Sequence, residues 1–418
     1  MSQDMVGCPC GDQLTISCYT GPASTRNVGS CRDGQQECNV TGADGSGTYG
    51  PCSGDTLPSS PTACSPGEAG TGTAGSAECD KLETAFADAG VDILACHQQE
   101  PETLVIDSES VYWANYGALG LGTIMRVAHG GGLYTTLAVG QGRPGAMAVD
   151  ATNVYWVDQG STTSGAPGFT VINGSIMKVP ITGGSPTTLA PAPNNFPPSM
   201  TVAGDDVFFV ASVSSGATLT PIEEVGTSGG SLVDFENLSS SQAVTAPLAT
   251  DGTSLYWVDE TFTFSNDGGP VTGHAVLLKA PVGGGAPQTL IAWDSPYSWI
   301  LAVDPVNVYA AGAGSASGGG VIVKVPVGGG ELTTLATATA PQSIATDGSN
   351  VYWTETPDCM AGGSLRKVPV GGGTVVTIAS APMVVCADSV AVDATSVYWV
   401  NAASNGSTTE GMVLKAPK

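Results

Sequence analysis

The chain has 418 residues, of which 12 are basic and 37 acidic, a formal net charge of −25. Such a surface repels phosphate backbones and anionic lipid, which excludes nucleic acid and membrane surfaces as natural partners. No run of 18 apolar residues occurs, so no membrane-spanning helix is expected, and a hydrophobic content of 41% is enough to build a core.

The first 64 residues hold Cys8, Cys10, Cys18, Cys31, Cys38, Cys52 and Cys64 among many Gly, Asp, Ser and Thr and few large apolar side chains. A segment of that kind cannot bury a core and depends on covalent staples, so residues 1–64 read as a disulfide-stapled module. The start, MSQDMVGCPC, lacks the apolar stretch of a signal peptide. The cysteines nevertheless point to an oxidising compartment. The expectation is an extracytoplasmic protein (secreted, periplasmic or at the cell surface) whose leader is absent from this chain. Residues 65–78 read as a flexible linker. CDKLETAFADAG (79–90) places Leu82, Ala85, Phe86 and Ala89 on one helical face, ending at Gly90.

From residue 91 the chain repeats. AVDATNVYWVD (148–158), a variable loop, GSIMKVPITGG (174–184) and TTLA (187–190) define a unit of four short strands, here called A to D. The first and second strands recur as IDSESVYWAN, AVDATNVYWVD, TVAGDDVFFVA, ATDGTSLYWVD, AVDPVNVYAAG, ATDGSNVYWTE and AVDATSVYWVN. Seven copies of about 47 residues with four strands each predict an all-β, seven-bladed β-propeller over 91–418. Residues 92–107 align without a gap to 135–150, a junction between copies, while the seventh copy lacks a fourth strand. Asp92–Ala95 should therefore close the ring as the outer strand of the blade formed by 391–417, satisfying two open edges.

The VYWVD, LYWVD and VYWTE steps resemble the YWTD propellers of lipoprotein-receptor type, which have six blades. AVDATSVYWVN paired with KVPVGGG resembles a family of secreted or surface propellers of myxobacteria. SCYTGPASTRNVGSCRDGQQECNVTG (17–42) with YGPC (49–52) resembles a cysteine-rich segment of exported proteins in the same group. These resemblances imply fold and export, and carry no catalytic motif to this chain.

Asp107, Asp150, Asp251, Asp304, Asp347 and Asp393 close strand A in six copies, each suited to accept backbone N–H groups in the following turn. Arg126, Lys178, Lys279, Lys324, Lys367 and Lys415 recur on strand C. The third copy lacks both, with Ala203 and Glu224 in those places, which predicts that the two columns are salt-bridge partners. Repeated GGG reads as C–D hairpin turns needing positive φ, since no P-loop Lys-Ser/Thr follows. Tyr and Trp of VYW should point to opposite faces of strand B. A second column, Asn115, Asp158, Ala211, Asp259, Gly312, Glu355 and Asn401, follows the Trp by two; its expected role is hydrogen bonding into loops, with cation binding the sharper alternative. His97, His129 and His274 lie in different copies, and no metal or nucleophile motif is apparent.

Aromatic residues outside the repeat gather in AWDSPYSW (292–299). Trp293, Tyr297 and Trp299, with Phe196 and the carboxylates Asp158, Asp259 and Glu355, form the candidate ligand-binding set. Cys359 is expected to pair with Cys386, and Cys79 with Cys96, leaving Cys8 as the odd thiol of 11. The reading is an exported binding or adhesion propeller that recognises a protein or glycan on its D–A/B–C loop face. The alternatives are a lyase- or hydrolase-type enzyme using the same mouth, or a structural subunit of a surface layer or fibre. No cofactor is assigned.

Overall fold

The computed structural model divides the chain into two compact units, Met1–Ala85 and Phe86–Lys418. It describes residues 15–18, 34–40 and 47–49, and all of 86–418 except 118–120, 166–167, 173, 192–198, 212–221, 237–242, 245–247, 264–271, 295–297, 314–318, 358–361 and 403–410. In the first unit, Thr15–Cys18, Gly34–Val40 and Gly47–Tyr49 pair as a three-stranded antiparallel sheet. The remainder of the predicted cysteine-rich module, the linker and the start of the predicted helix lie outside the described residues. The helix's end is seen as a turn in which Ala89 N–H donates to Phe86 and Gly90 takes φ +76°, with Phe86 buried.

The second unit is a seven-bladed β-propeller. Blade 1 comprises strands A to D at Pro101–Ile106, Ser110–Asn115, Gly122–Ala128 and Thr135–Gln141. Blade 2 has Pro144–Val149, Asn153–Asp158, Ser175–Pro180 and Thr187–Pro191. Blade 3 has Met200–Ala203, Asp206–Val210, Ile222–Gly226 and Val233–Glu236. Blade 4 has Ala249–Thr250, Ser254–Thr263, Thr272–Pro281 and Gln288–Asp294. Blade 5 has Ser298–Val303, Asn307–Ala313, Gly319–Pro326 and Thr333–Thr339. Blade 6 has Pro341–Thr346, Asn350–Glu355, Ser364–Pro369 and Val376–Ser380.

Blade 7 takes Ser389–Val392, Ser396–Asn401 and Gly411–Pro417 from one end of the unit and Asp92–Gln98 from the other. The closing pair runs antiparallel, Lys415 opposite Asp92 and Gly411 opposite Gln98, so the expected closure is present and extends three residues beyond Ala95. The A strands touch one another in an unbroken circuit from blade 1 through blade 7 and back, and so line the axis.

The core sits between blades. Tyr398 of blade 7 packs with Trp113 of blade 1 against Leu94, Leu104 and Val413; Tyr112 of blade 1 packs with Trp156 of blade 2 against Ile124 and Val179. Strand alternation sends Tyr into the joint with the next blade and Trp into the joint with the previous one. Both faces of strand B are therefore core, and both aromatic columns are fully buried in most blades. In the C–D turns the last two glycines take positive φ, for example +77° and +105° at Gly131 and Gly132, where a side chain would strain the hairpin.

The aspartate and base columns are not partners of each other. In each of six blades, Asp Oδ1 accepts the N–H groups of the second and third residues onward, as from Thr152 and Asn153 to Asp150 at 2.6 and 2.7 Å. Its Oδ2 accepts the strand-B Tyr hydroxyl, as from Tyr155 to Asp150 at 2.7 Å. In five of these blades the base, which faces that Tyr across the strand pair, instead donates to a turn carbonyl of the next blade. Arg126 reaches Ile181, Lys178 reaches Thr227, Lys279 reaches Val327, Lys324 reaches Val370 and Lys415 reaches His129, at 2.6 to 3.4 Å. Among the described residues Asp347 is ion-paired with Lys418 at 2.7 Å, and Asp393 Oδ2 lies 3.1 Å from His129 Nδ1. The expected direct salt bridge is thus absent among the described residues: aspartate is bound by tyrosine and the base by the next blade, although in blade 1 the Arg126 charge still helps to lower Asp107. Blade 3 has lost all three members, with Ala203, Phe208 and Glu224 in their places, and Phe208 and Glu224 still stand opposite.

Candidate functional site

Most of the repeating polar chemistry is consumed by the scaffold. Trp113 Nε1 donates to Gln98 Oε1 at 3.0 Å and Trp156 Nε1 to Gln141 Oε1 at 3.1 Å, tying strand B to the outer strand of the previous blade. The column two residues after Trp is engaged locally. Asn115 donates to Gln98 at 2.9 Å, and Asp158 accepts the N–H groups of Gly142 and Gly160 at 3.0 and 2.7 Å. Glu355, buried, accepts from Thr339 N–H at 3.2 Å and Trp353 Nε1 at 2.9 Å and pairs with Arg366 at 3.3 Å. Asn401 accepts from Val385 N–H at 3.1 Å. Asp259 is buried in blade 4. Asp158, Asp259 and Glu355 therefore stand at one level of alternate blades and are not brought together. No group of three metal-ligating side chains converges among the described residues.

The aromatic set is divided as well. Phe196 and Tyr297 lie outside the described residues. Trp293, in strand D of blade 4, is half-buried and meets Trp299 edge to face, with ring centroids 5.2 Å apart. Trp299 is only 2% exposed and belongs to the core between blades 4 and 5. The reason is a swap within blade 5. The strand-B Trp is replaced there by Ala310, and Trp299 reaches from strand A into the vacated space, its ring so close to Gly312 that an added Cβ would lie 2.8 Å from it. Trp299 is thus a core residue rather than part of an open loop surface, and Trp293 is the aromatic left at the edge, beside exposed Asp294 and its 3.1 Å partner His274. Cys96 and Cys386 are both disulfide-bonded. Their expected partners, Cys79 and Cys359, lie outside the described residues.

A different set gathers where strand A begins. The residue five before the turn aspartate is Glu102 in blade 1 and Asp388 in blade 7, whereas the other copies carry Gly145, Pro198, Ala246, Trp299 and Gln342. Glu102 occupies a bulge, since Pro101 pairs with Asn115 but Thr103 with Ala114, and bulges re-aim side chains. Burial first, then the charges of Asp388 and Glu100, push its carboxyl up to about 7 against the opposing pull of Arg143. Asp388 keeps solvent-facing surface yet is crowded by protein on most sides, and that desolvation pushes it up to about 6. Arg143, in a left-handed turn with φ +61°, lies over the Tyr116 ring at 5.1 Å, and Tyr116 donates to Gln159 Oε1 at 3.2 Å. A carboxyl raised toward neutrality can donate a hydrogen bond when protonated and accept one when ionised. Sequence reading missed them because it followed the columns that repeat; the signal lay in the inner-strand column that does not.

No family model and no curated protein matches the chain. Solved structures do. The β-propeller domain of the Trilobed protease from Pyrococcus furiosus, described as having an open Velcro topology, is 9% identical with a TM-score of 0.53, covering 76% of this chain and 95% of that one. A puromycin-hydrolysing peptidase from Mycobacterium tuberculosis is 14% identical with a TM-score of 0.50, covering 79% of this chain and 53% of that one, so the chain spans about half its length. A chain of a nidogen/laminin complex gives 14% identity and a TM-score of 0.40, over 57% of this chain and 80% of that one. At these identities the likeness is one of fold.

Proposed function

We propose that the chain is an exported binding or adhesion propeller that takes a glycan or an extended peptide on the face formed by the D–A and B–C loops. The observation that carries this reading is an inner-strand column that does not repeat, which brings Glu102 and Asp388 onto adjoining strands near Arg143 and Tyr116. Scaffold needs do not explain it, because five other blades close with uncharged residues there. Beside it are the half-buried Trp293 and B–C connections longer than in other blades: the added hairpin of Ser161–Gly165 with Gly168–Ile172 in blade 2, and the ten-residue strands of blade 4. Carboxyls and a guanidinium suit hydroxyl and amide groups, and an indole edge suits a sugar face. The cysteine-rich start supports export.

A glycan and peptide array tests the reading with three proteins: the parent, Trp293→Ala and Glu102→Gln. Retention of one ligand class that both variants lose supports it; equal retention by all three overturns the placement. One observation favours a second reading. A carboxyl pair raised to about 7 and about 6 is suited to acid–base work, as a lyase or hydrolase needs. Turnover of an array ligand, lost in Asp388→Asn, would decide for that reading.

A further inference from the structure

Blade 7 is the one blade assembled from segments distant in sequence, and its joint with blade 1 differs at its two ends. At the C–D turn end the contacts attract. His129 Nδ1 of blade 1 lies 3.1 Å from Asp393 Oδ2 of blade 7, its ring packs 5.1 Å from the Tyr398 ring, and its carbonyl accepts Lys415 Nζ at 2.9 Å. Midway, Ser389 bridges the inner strands, its Oγ accepting Leu104 N–H at 3.1 Å and donating to Leu104 O at 3.3 Å. Toward the D–A end the two inner strands, in contact along their length, carry like charges just beyond that bridge: Glu102 two residues before Leu104 and Asp388 next to Ser389, with Glu100 adding to the repulsion and Arg143 opposing it. No other joint sets two carboxylates at this position of neighbouring inner strands.

We propose that the joint between blades 7 and 1 is a proton-sensitive latch of the ring, shut while the Glu102–Asp388 pair holds a proton and loosened when both carboxyls are ionised. The attractive end acts as the pivot and the carboxyl end is where the strands part. Ionisation of both groups adds a repulsion that falls on this joint and not on the other six. With the Glu102 carboxyl raised to about 7 and Asp388 to about 6, the latch loosens as pH rises from 5.5 to 8.

Hydrogen exchange on the full chain, corrected for the intrinsic effect of pH on amide exchange, tests this at about pH 5.5 and pH 8. Protection of peptides spanning 92–106 and 389–417 is expected to fall about tenfold at the higher pH while 249–294 in blade 4 holds. Glu102→Gln should abolish the fall; glutamine already stands at this place in blade 6 as Gln342, so the variant is compatible with the fold. Asp388→Asn should weaken it, and in the parent about 1 M salt should do the same by screening. An equal loss over all blades, or the same pH response in Glu102→Gln, overturns the proposal.

Discussion

A single carboxylate in six of the seven blades does two jobs, fixing a turn with one oxygen and a tyrosine with the other. At Asp251 burial alone would raise the carboxyl, but the bonds from Thr253, Tyr256 and Ser254 outweigh it and hold the group at about 2; Asp393 is held at about 2 in the same way, and Asp347 at about 2 chiefly by the Lys418 ammonium with the turn and tyrosine bonds adding to it. Because the folded value is depressed, the stabilisation is full above the ordinary aspartate value of 3.8 and is lost as pH falls toward 2. Glu102 and Asp388, raised in the folded state, act in the opposite sense, their stabilising share fading as pH climbs through about 6 and 7. Melting temperature should therefore peak near about pH 4 to 5 and fall on both sides, which thermal scans across pH 2 to 9 will show. Tyr155→Phe removes one half of the arrangement and should cost about 1 kcal/mol in urea unfolding. Blade 3 already held the clue to this chemistry. VFFV in place of VYWV lost its tyrosine together with aspartate and base, but pairing by charge drew attention to only two of the three.

At the level of the strand, blade 5 shows how one element covers for another. Trp299→Ala should open a cavity between blades 4 and 5 and destabilise by about 3–5 kcal/mol. Gly312→Ala should cost about 2 kcal/mol by forcing the indole aside, and much of that cost should disappear when Trp299 is already alanine. A double-mutant cycle in urea reads this coupling directly; additive effects would show that the indole does not depend on Gly312. Trp293→Ala, at the edge of the same cluster, should be milder. The strands themselves were legible in sequence because period-two alternation, turn glycines and the VYW step all recur. The swap was not. DSPYS (294–298) carries turn chemistry that makes a following tryptophan look like a loop residue, and only the coincidence with Ala310 in VYAAG pointed inward.

For the whole ring, alignment of 92–107 with 135–150 was enough to specify closure, since a missing fourth strand in the last copy and a surplus one before the first leave one solution. The mouth was harder to read, because its charged pair comes from the first and last blades, more than 280 residues apart along the chain. Removing Asp92–Gln98 should leave Gly411–Pro417 as an open edge and lower the melting temperature of the whole propeller, whereas removing residues 1–60 should leave it unchanged; calorimetry on both truncations separates the cases.

The antiparallel closing pair also decides how the ring bears load. Asp92 lies opposite Lys415, so a segment entering before Asp92 and one leaving after Pro417 depart from the same corner of blade 7. Tension between those two segments would act on the rungs one after another from that corner, peeling the seam open as a zip rather than shearing all its hydrogen bonds at once. Tension drawn instead from one of these segments to a ligand on the loop face would spread across the strands.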